Sequence, residues 1–265
     1  KLIAADTGML VDYYNGRASA LVLDGGDAEA RYFAPPQNAR LETDGSVDAF
    51  GRTEQELRAA LEQGTIAAIE RGEGTAPWRV RLMHEGATMS AIFYPHGAGG
   101  ADLELAADAL DGLLGTTLVA PTVARAIDGE NGALQLRYPD AVSEAERLSR
   151  GLRFSGWCPI EPQTRLMFTF DVLIFNRGRT PENIVFANDL TDLTLTDHRQ
   201  AFGTERALPA SFDPGTLAIP PELAAALRAL DEPRLTAALG AWVDSRRIRA
   251  LLERRDRLLA SRGPP

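Results

Sequence analysis

The sequence predicts an α+β fold with two lobes, a strand-rich N-terminal lobe and a mainly helical C-terminal lobe, with a cleft between them. Three observations support this prediction. Apolar residues alternate with polar ones across residues 66–94, which indicates antiparallel strands because successive side chains of a strand point to opposite faces. A strongly periodic helix at 102–114 follows these strands. After about residue 140 the apolar spacing becomes helical, apart from one short hairpin.

The first third of the chain is predicted to contain one helix before the strands. Residues 1–50 are rich in Gly, Asp and Pro, and they predict strands and loops of unknown role. Thr53 is expected to cap a helix that runs to Glu62, because its hydroxyl can accept a hydrogen bond from the first helical turn. Gly64 is expected to end this helix.

The helix at 102–114 carries Leu and Ala on one face at helical spacing. Asp102 is the expected N-cap, and Gly115 is the expected stop. Residues 118–136 then predict two strands joined through an Asp-Gly and Asn-Gly turn region.

The C-terminal half is predicted to hold a buried helix, a small hairpin and a group of terminal helices. The apolar face of the buried helix consists of Leu166, Phe170, Leu173 and Ile174. Ile184–Ala187 and Leu193–Thr196 predict two short strands, and 221–260 predicts two or three helices whose last one has a solvated basic face. We predict residues 1–137 as the N-terminal lobe and 138–265 as the C-terminal lobe.

Composition argues against several classes of function. Acidic residues outnumber basic ones by 37 to 28, giving a formal charge of −9, so binding to nucleic acid or to anionic membrane surfaces is not expected. Cys158 is the only cysteine, which excludes an internal disulfide and a Cys-x-x-Cys metal site. No apolar run reaches the ~18 residues of a membrane helix. No signal peptide is visible, which favours the cytoplasm, while the start at Lys1 leaves a trimmed leader or anchor open.

The stretch FNRGRTPENIVFANDLTDLTLTDHRQAF, residues 175–202, has the spacing of a phosphoryl-transfer site with one group missing. Such a site needs a carboxylate that accepts the substrate proton, an Asn five residues later, and an Asp after a second strand. Here Gly178 and Asn183 have that spacing, and Asp197 follows the second strand. Because amide and carboxylate oxygens suit Mg²⁺, Asn183 and Asp197 are predicted metal ligands. The alternative for both is turn capping, a common role of Asn and Asp.

The segments FDVLIFNRGRTPENIVF and LTLTDHRQAF resemble the catalytic and metal loops of atypical kinases, namely the phosphatidylinositol 3-/4-kinase-like and HipA-like kinases. Bacterial members carry a pattern close to F-D-x-L-x-x-N-x-D-R-x-x-x-N followed by I-D-H-x-x-A-F. SAIFYPH resembles the strand that ends in Phe-Lys, ELAADALDGLLGTTLVAPTV the helix with the partner glutamate of that lysine, and NGALQL the segment before the hinge. The resemblance covers roughly residues 60–260, and it implies a two-lobed protein-kinase-like fold that binds ATP and Mg²⁺.

The resemblance also implies residue roles, and two of them are lost in this chain. Glu104 would be the helix glutamate, with Asn183 and Asp197 as the metal ligands. Tyr94 occupies the position of the phosphate-binding lysine, and Gly178 that of the catalytic aspartate. A tyrosine does not neutralise phosphate charge and a glycine accepts no proton, whereas general-base assistance is typically worth about 10²–10⁴-fold in rate. Ordinary phosphoryl transfer is therefore not expected.

Two features of the strands are candidates for binding a nucleotide. Arg79 and Arg81 are candidates to replace the missing lysine, since a guanidinium binds phosphate well, and solvated strand-face charges are the alternative. Gly72 and Gly74 are candidates for a turn that covers phosphates, and an ordinary turn before a strand is the alternative.

Two residues of the loops have further candidate roles. Glu182, beside Asn183, is a candidate substitute for the missing base, with a surface charge as the alternative, while His198 is expected to make a structural hydrogen bond. Three functional hypotheses follow. The chain is a pseudokinase that binds Mg–ATP and acts by binding or regulation, an active nucleotide-dependent transferase that moves a phosphoryl group or AMP with non-standard residues, or a nucleotide-free interaction module. Its partner or substrate would be an unidentified protein.

Overall fold

The structure, a computed structural model, describes part of the chain, and the described residues are 52–139, 141–154, 160–187, 190, 192–209 and 217–261. The predictions for residues 1–50 lie outside the described residues, as do Cys158 and the residues Asn188 and Asp189 between the two strands of the predicted hairpin.

The N-terminal part is an antiparallel five-stranded sheet preceded by a helix. Helix α1 spans Glu54–Gln63, and Thr53 caps it through a capping box with Glu56. The strands are β1 (Thr65–Glu70), β2 (Trp78–His84), β3 (Ala87–Pro95), β4 (Thr122–Ile127) and β5 (Glu130–Arg137), in the order β1-β2-β3-β5-β4. The predicted cap, the strands across 66–94 and the strand pair within 118–136 are confirmed.

Helix α2 spans Ala101–Leu114 between β3 and β4, after a 3₁₀ turn at His96–Ala98. The prediction that Asp102 caps this helix is wrong, because Gly100 is the N-cap and adopts a left-handed conformation with φ +82°. Gly115 ends the helix, also in the left-handed region, as predicted.

The two faces of the sheet differ in chemistry. One face carries Trp78, Val80 and Leu82 of β2 and packs against α1. The other face, called the inner face below, carries the alternate residues of β2, β3 and β5, namely Arg79, Arg81, Ser90, Ile92, Tyr94, Ala133, Gln135 and Arg137. Ala101 and Leu105 of α2 pack against the end of the inner face, at Tyr94 and Ala133.

The C-terminal part is mainly helical and contains a small sheet. Its elements are β6 (Val142–Ser143), α3 (Glu144–Ser149), α4 (Ile160–Ile174), β7 (Ile184–Ala187), β8 (Asp192–Leu195), α5 (Pro221–Ala229), α6 (Glu232–Leu239) and α7 (Ser245–Ala260), and the strands pair in the order β6-β7-β8. The large apolar core of this part also takes up Leu103, Ala106 and Leu110 of α2. A hydrogen bond of 2.7 Å from the Leu195 amide to the Leu118 carbonyl joins β8 to the segment after α2.

The predicted solvated face of the last helix needs one correction. Arg254 of α7 is fully buried, and its guanidinium donates to the carbonyl oxygens of Leu173, Gly203 and Glu205. Burial lowers the pKa of Arg254 to about 10, while the charge of Glu205 opposes this shift. Hydrogen bonds to three backbone carbonyl groups therefore explain why a helix with a basic face holds one arginine inside.

The predicted fold class is confirmed. The chain is α+β. Its first part is rich in strands with one helix inserted between them, and its second part is helical with a short hairpin. The kinase resemblance implied this order of elements. The division at residue 137 stays a prediction. Within the part of the chain that the structure describes, no helix has the length and apolar character needed to cross a membrane.

Candidate functional site

Four chain segments converge at one end of the inner face. They are the end of β3 with Tyr94, the first turn of α2 with Glu104, the segment after β8 with Asp197, and the loop between β1 and β2 with Thr75. Two of the residues with predicted roles, Asp197 and Glu104, and the residue at the lysine position, Tyr94, therefore lie together, although up to 103 positions separate Tyr94 from Asp197 in the chain.

Arg199 occupies the centre of this end of the inner face. Its guanidinium donates from Nε and Nη2 to the two carboxylate oxygens of Asp197, at 2.8 Å each. It also donates to the Thr75 carbonyl oxygen at 2.9 Å, and its Cζ atom lies 5.8 Å from the centre of the Tyr94 ring. One arginine thus connects the segment after β8 to the β1–β2 loop and covers the tyrosine that stands at the lysine position.

The ionisation of the site follows from this pairing. Burial raises the pKa of Tyr94 well above its usual value, and the negative charges of Glu104 and Asp197 add to the shift, so Tyr94 is a neutral phenol. Burial also acts to raise the pKa of Asp197, but the hydrogen bonds and charge of Arg199 outweigh it and leave this pKa below its usual value. Asp197 is therefore an ionised carboxylate whose charge is balanced by Arg199.

Glu104 has partners different from the lysine that the resemblance implied. The Glu104 side chain is fully buried, accepts a hydrogen bond from the backbone amide of His198 at 2.5 Å and shares a second one of 3.0 Å with the ring nitrogen Nδ1 of His198. The structural hydrogen bond expected of His198 is therefore present. Together these two bonds hold the start of α2 against the segment after β8.

Asn183 lies in a buried hydrogen-bond network that the sequence did not predict. Its side-chain oxygen accepts from the Thr180 amide at 2.9 Å and from Arg179 Nη1 at 3.1 Å, and its side-chain nitrogen donates to the Gly178 carbonyl at 2.7 Å. Arg179 is also buried and pairs with Asp171 through bonds of 2.9 and 3.0 Å. An amide oxygen has two lone pairs, and both are used here by protein donors.

The remaining loop candidates lie apart from these contacts. Gly178 is half-buried, and a Cβ atom built at this position would lie 3.2 Å from Cβ of Gln200, so the side chain next to the expected catalytic position is a glutamine amide. Glu182 is exposed, and its role as a substitute base stays a prediction.

The candidate nucleotide-binding arginines lie on the inner face but away from Arg199. Arg79 and Arg81 are exposed, opposite Ile92 and Ser90 of β3. Tyr94 lies two residues beyond Ile92, at the end of the strand. Both arginines therefore lie on the inner face as exposed side chains, and neither contacts the buried Glu104.

The residues predicted to hold Mg²⁺ have suitable oxygens, but protein donors already use them. The side-chain oxygen of Asn183 accepts hydrogen bonds from Thr180 and Arg179, and the carboxylate of Asp197 is paired with Arg199. Among the described residues, no group of three or more His, Cys, Asp or Glu side chains could hold a metal ion. A magnesium ion, which takes oxygen ligands in octahedral geometry, would therefore have to displace these donors before Asn183 and Asp197 could hold it.

Sequence reasoning missed Arg199, Arg179 and Asp171 as determinants of the site. Arg179 and Asp171 stand within the quoted motif, at its R and first D positions, so a signal for them was present without a role attached. Arg199 has no comparable signal, because its contacts to Thr75 and Tyr94 join segments more than 100 positions apart.

No protein-family model matches this chain, and no curated protein sequence matches it. Among solved structures, it is similar to the crystal structure of a Helicobacter pylori proinflammatory kinase, CtkA, with 12% identity over 75% of this chain and 92% of that chain and a TM-score of 0.46. It is also similar to the open conformation of CtTel1, with 10% identity over 74% of this chain and 12% of that chain and a TM-score of 0.37. At these values, neither similarity carries an argument about activity or ligand.

Proposed function

We propose that this protein is a degenerate kinase-like protein, a pseudokinase related in pattern to the phosphatidylinositol 3-/4-kinase-like and HipA-like kinases, which acts by binding and regulation. The observation that carries the proposal is the pairing of Arg199 with Asp197 over the ring of Tyr94. The guanidinium supplies, from within the chain, the positive charge that a metal ion and a lysine supply in phosphoryl transfer.

The chemistry of the lost positions supports the same conclusion. Gly178 provides no proton acceptor, and Tyr94 is an uncharged phenol that offers no charge to a phosphate. The hydrogen bond from Arg199 to the Thr75 carbonyl draws the β1–β2 loop onto the same end of the inner face. A phosphate chain would have to displace this contact in order to reach Asp197, and the side chain next to Gly178 is the amide of Gln200, which is a poor general base.

Binding of Mg–ATP at this end of the inner face is a second candidate function. It is favoured by the exposure of the pair, since the side chains of Arg199 and Asp197 remain 25% and 33% exposed. An ion pair with this much solvent contact contributes about 1 kcal/mol or less to stability. A nucleotide that displaced it would therefore lose little binding free energy. Arg199 would then contact the phosphates, and Asp197 would be released to hold Mg²⁺.

Thermal unfolding with and without ATP and Mg²⁺ distinguishes these two functions. Under the proposal, adding Mg²⁺ in the presence of ATP leaves the unfolding temperature of the wild-type protein unchanged, and Arg199→Ala, which uncovers Asp197, gains a Mg²⁺-dependent increase. Under the second candidate, the wild-type protein itself shows the Mg²⁺-dependent stabilisation, of about 2.7 kcal/mol when Mg–ATP is at a hundred times its Kd. Arg177→Ala is the matched control, because Arg177 is an exposed arginine of the neighbouring loop.

A transfer assay addresses the remaining hypothesis of an active transferase. ATP labelled on the γ-phosphate, and separately on the α-phosphate, is incubated with the protein, and incorporated label is measured for the wild type and for Asp197→Ala. We expect the same background in both. Label above background that disappears in Asp197→Ala would overturn the proposal and identify the transferred group.

A further inference from the structure

A group of arginines on the inner face surrounds a serine away from Arg199. In the strand register, Ser90 of β3 lies opposite Arg81 of β2 on one side and opposite Arg137 of β5 on the other. Residues directly opposite in an antiparallel pair have their Cβ atoms about 4.5–5.5 Å apart. Two guanidinium groups therefore flank one hydroxyl from both sides, and Arg79 lies one step further along the same face of β2.

The charges of these arginines are poorly neutralised by the protein. Within the described part of the chain, Arg81 and Arg137 take part in no hydrogen bond or ion pair of the side chain. Arg79 approaches Glu70 at 3.9 Å, and both of these side chains are more than 70% exposed. Such a pair contributes little, so the group holds three positive charges against one weakly paired carboxylate in a protein of net charge −9.

The surface between these arginines is concave. A groove of about 340 Å³ lies over the inner face, lined by Arg79, Arg81, Ser90, Arg137 and Glu70 together with apolar residues of the strands. This volume lies at the lower end of the range of small-molecule sites. The groove therefore combines room for a small ligand with several donors that converge on it.

We propose that this groove binds a small molecule that carries phosphate groups. A planar guanidinium pairs with phosphate through two parallel hydrogen bonds, and the Ser90 hydroxyl adds a donor between two of them. The positive charge of three guanidinium groups exceeds the negative charge of the one nearby carboxylate, that of Glu70. The excess positive charge suits a ligand with two or three phosphates. A nucleic acid is disfavoured, because the net charge of −9 repels an extended polyanion and the groove is short.

This proposal goes beyond the proposed function and does not depend on it. The pseudokinase proposal concerns Arg199, Asp197 and Tyr94, whereas the groove is formed by other side chains of the inner face. A positive result in the transfer assay would overturn the first proposal and leave the second unaffected. Loss of phosphate binding in a groove variant would be expected whether or not the protein transfers a group.

The test is a calorimetric titration with inorganic tripolyphosphate, without divalent metal ions. The double variant Arg81→Gln/Arg137→Gln removes both arginines that flank Ser90, and because both are exposed it is expected to fold like the wild type. Arg246→Gln/Arg257→Gln is the matched control, since it removes two exposed arginines of α7 and changes the net charge equally. We expect the groove variant to weaken the Kd by at least about tenfold, and the control by less than about twofold.

Two further ligands identify the source of the phosphates. ATP that binds more tightly than tripolyphosphate, with adenosine alone not binding, identifies a nucleotide, whereas equal affinities identify the phosphate chain alone. An acidic peptide that binds while tripolyphosphate does not would overturn the proposal in favour of a protein partner. The proposal is also overturned if the wild-type protein binds no tripolyphosphate, or if the groove variant and the control weaken binding equally, since only net charge would then matter.

Discussion

Arg199 turns back on Asp197, two residues before it, and holds both of its carboxylate oxygens at 2.8 Å. This geometry depends on the backbone of Asp197, whose φ of +57° is in the left-handed region that Asp adopts more readily than most residues. The same arginine reaches Thr75 in the β1–β2 loop. The guanidinium of Arg199 therefore connects the turn at Asp197 to the β1–β2 loop. A substitution that displaces Arg199 should weaken both contacts.

Gly100 offers a way to disturb Arg199 without changing it. A Cβ atom at Gly100 would lie 2.6 Å from Cβ and Cγ of Arg199, whereas at Gly129, with the same φ of +82°, it would meet nothing within 4 Å. Both Gly100→Ala and Gly129→Ala incur the left-handed conformational cost of about 1–2 kcal/mol. We expect Gly100→Ala to lose a further 1–3 kcal/mol or so, as overpacking does, in urea denaturation. Equal losses of unfolding free energy for the two variants would contradict the prediction, because they would show that Arg199 moves away from the new methyl group without cost.

The buried pair of Arg179 and Asp171 is expected to support the fold of the loop. Arg179→Met should lower the free energy of unfolding by about 3–5 kcal/mol, because it leaves the Asp171 carboxylate buried without its charge partner. Arg177→Met, two residues earlier and exposed, should change it by about 0.5 kcal/mol or less. Chemical denaturation measures both. A loss for Arg179→Met no larger than that of Arg177→Met would contradict a structural role for the pair.

The pair of Arg179 and Asp171 also shows what the loop motif could predict from the sequence, which is local structure. Four residues of the motif quoted for the resemblance bond to one another or to nearby backbone groups, namely Asp171, Asn176, Arg179 and Asn183. The position at which the chain differs, Gly178, is the one that would perform chemistry. The motif residues thus stabilise the loop through their own contacts, and the motif carries less information about catalysis than about local structure.

Other elements differed in how well local sequence determined them. Thr53 and Gly115 were predictable because a capping hydroxyl and a left-handed glycine act on their own helix. Asp102 was misassigned as a cap, since the chain enters α2 through the left-handed Gly100. The contacts of Arg199 were not predictable, because no local pattern reports which distant backbone carbonyl or ring a side chain will meet.

Glu104 is expected to stabilise the junction between α2 and the segment after β8. Glu104→Ala should cost about 1–3 kcal/mol, because the buried backbone amide of His198 loses its acceptor. Asp102→Ala, on the same helix turn and partly exposed, is the control, and it should change stability by about 0.5 kcal/mol or less because Asp102 does not cap the helix. Thermal or urea unfolding of the three proteins provides the comparison. Similar costs for both variants would argue against the buried bond as a support of the junction.

Asp111, near the end of α2, is expected to make stability fall as pH rises. Burial raises its pKa to about 6, even though Thr116 and the amides of Leu118 and Val119 donate hydrogen bonds to it. With an unfolded pKa near 3.8, the folded protein binds the proton more tightly than the unfolded chain does. Ionisation therefore favours unfolding, and the stability from this group, complete below about pH 4, is lost as pH rises through about 6. The loss amounts to about 3 kcal/mol.

Urea denaturation of the wild type and Asp111→Asn at pH 4, 5, 6 and 7 isolates this contribution. The other titrating groups are common to both proteins, so they cancel in the difference between the two unfolding free energies. Asn carries no titrating proton, and we expect the wild type to lose stability relative to the variant between pH 4 and 7, by up to about 3 kcal/mol. Asp256→Asn, at an exposed position of α7, controls for the loss of one carboxylate. A wild-type advantage over Asp111→Asn that grows with pH would reverse the predicted sign, because it would mean that the hydrogen bonds from Leu118 and Val119 outweigh the cost of burial.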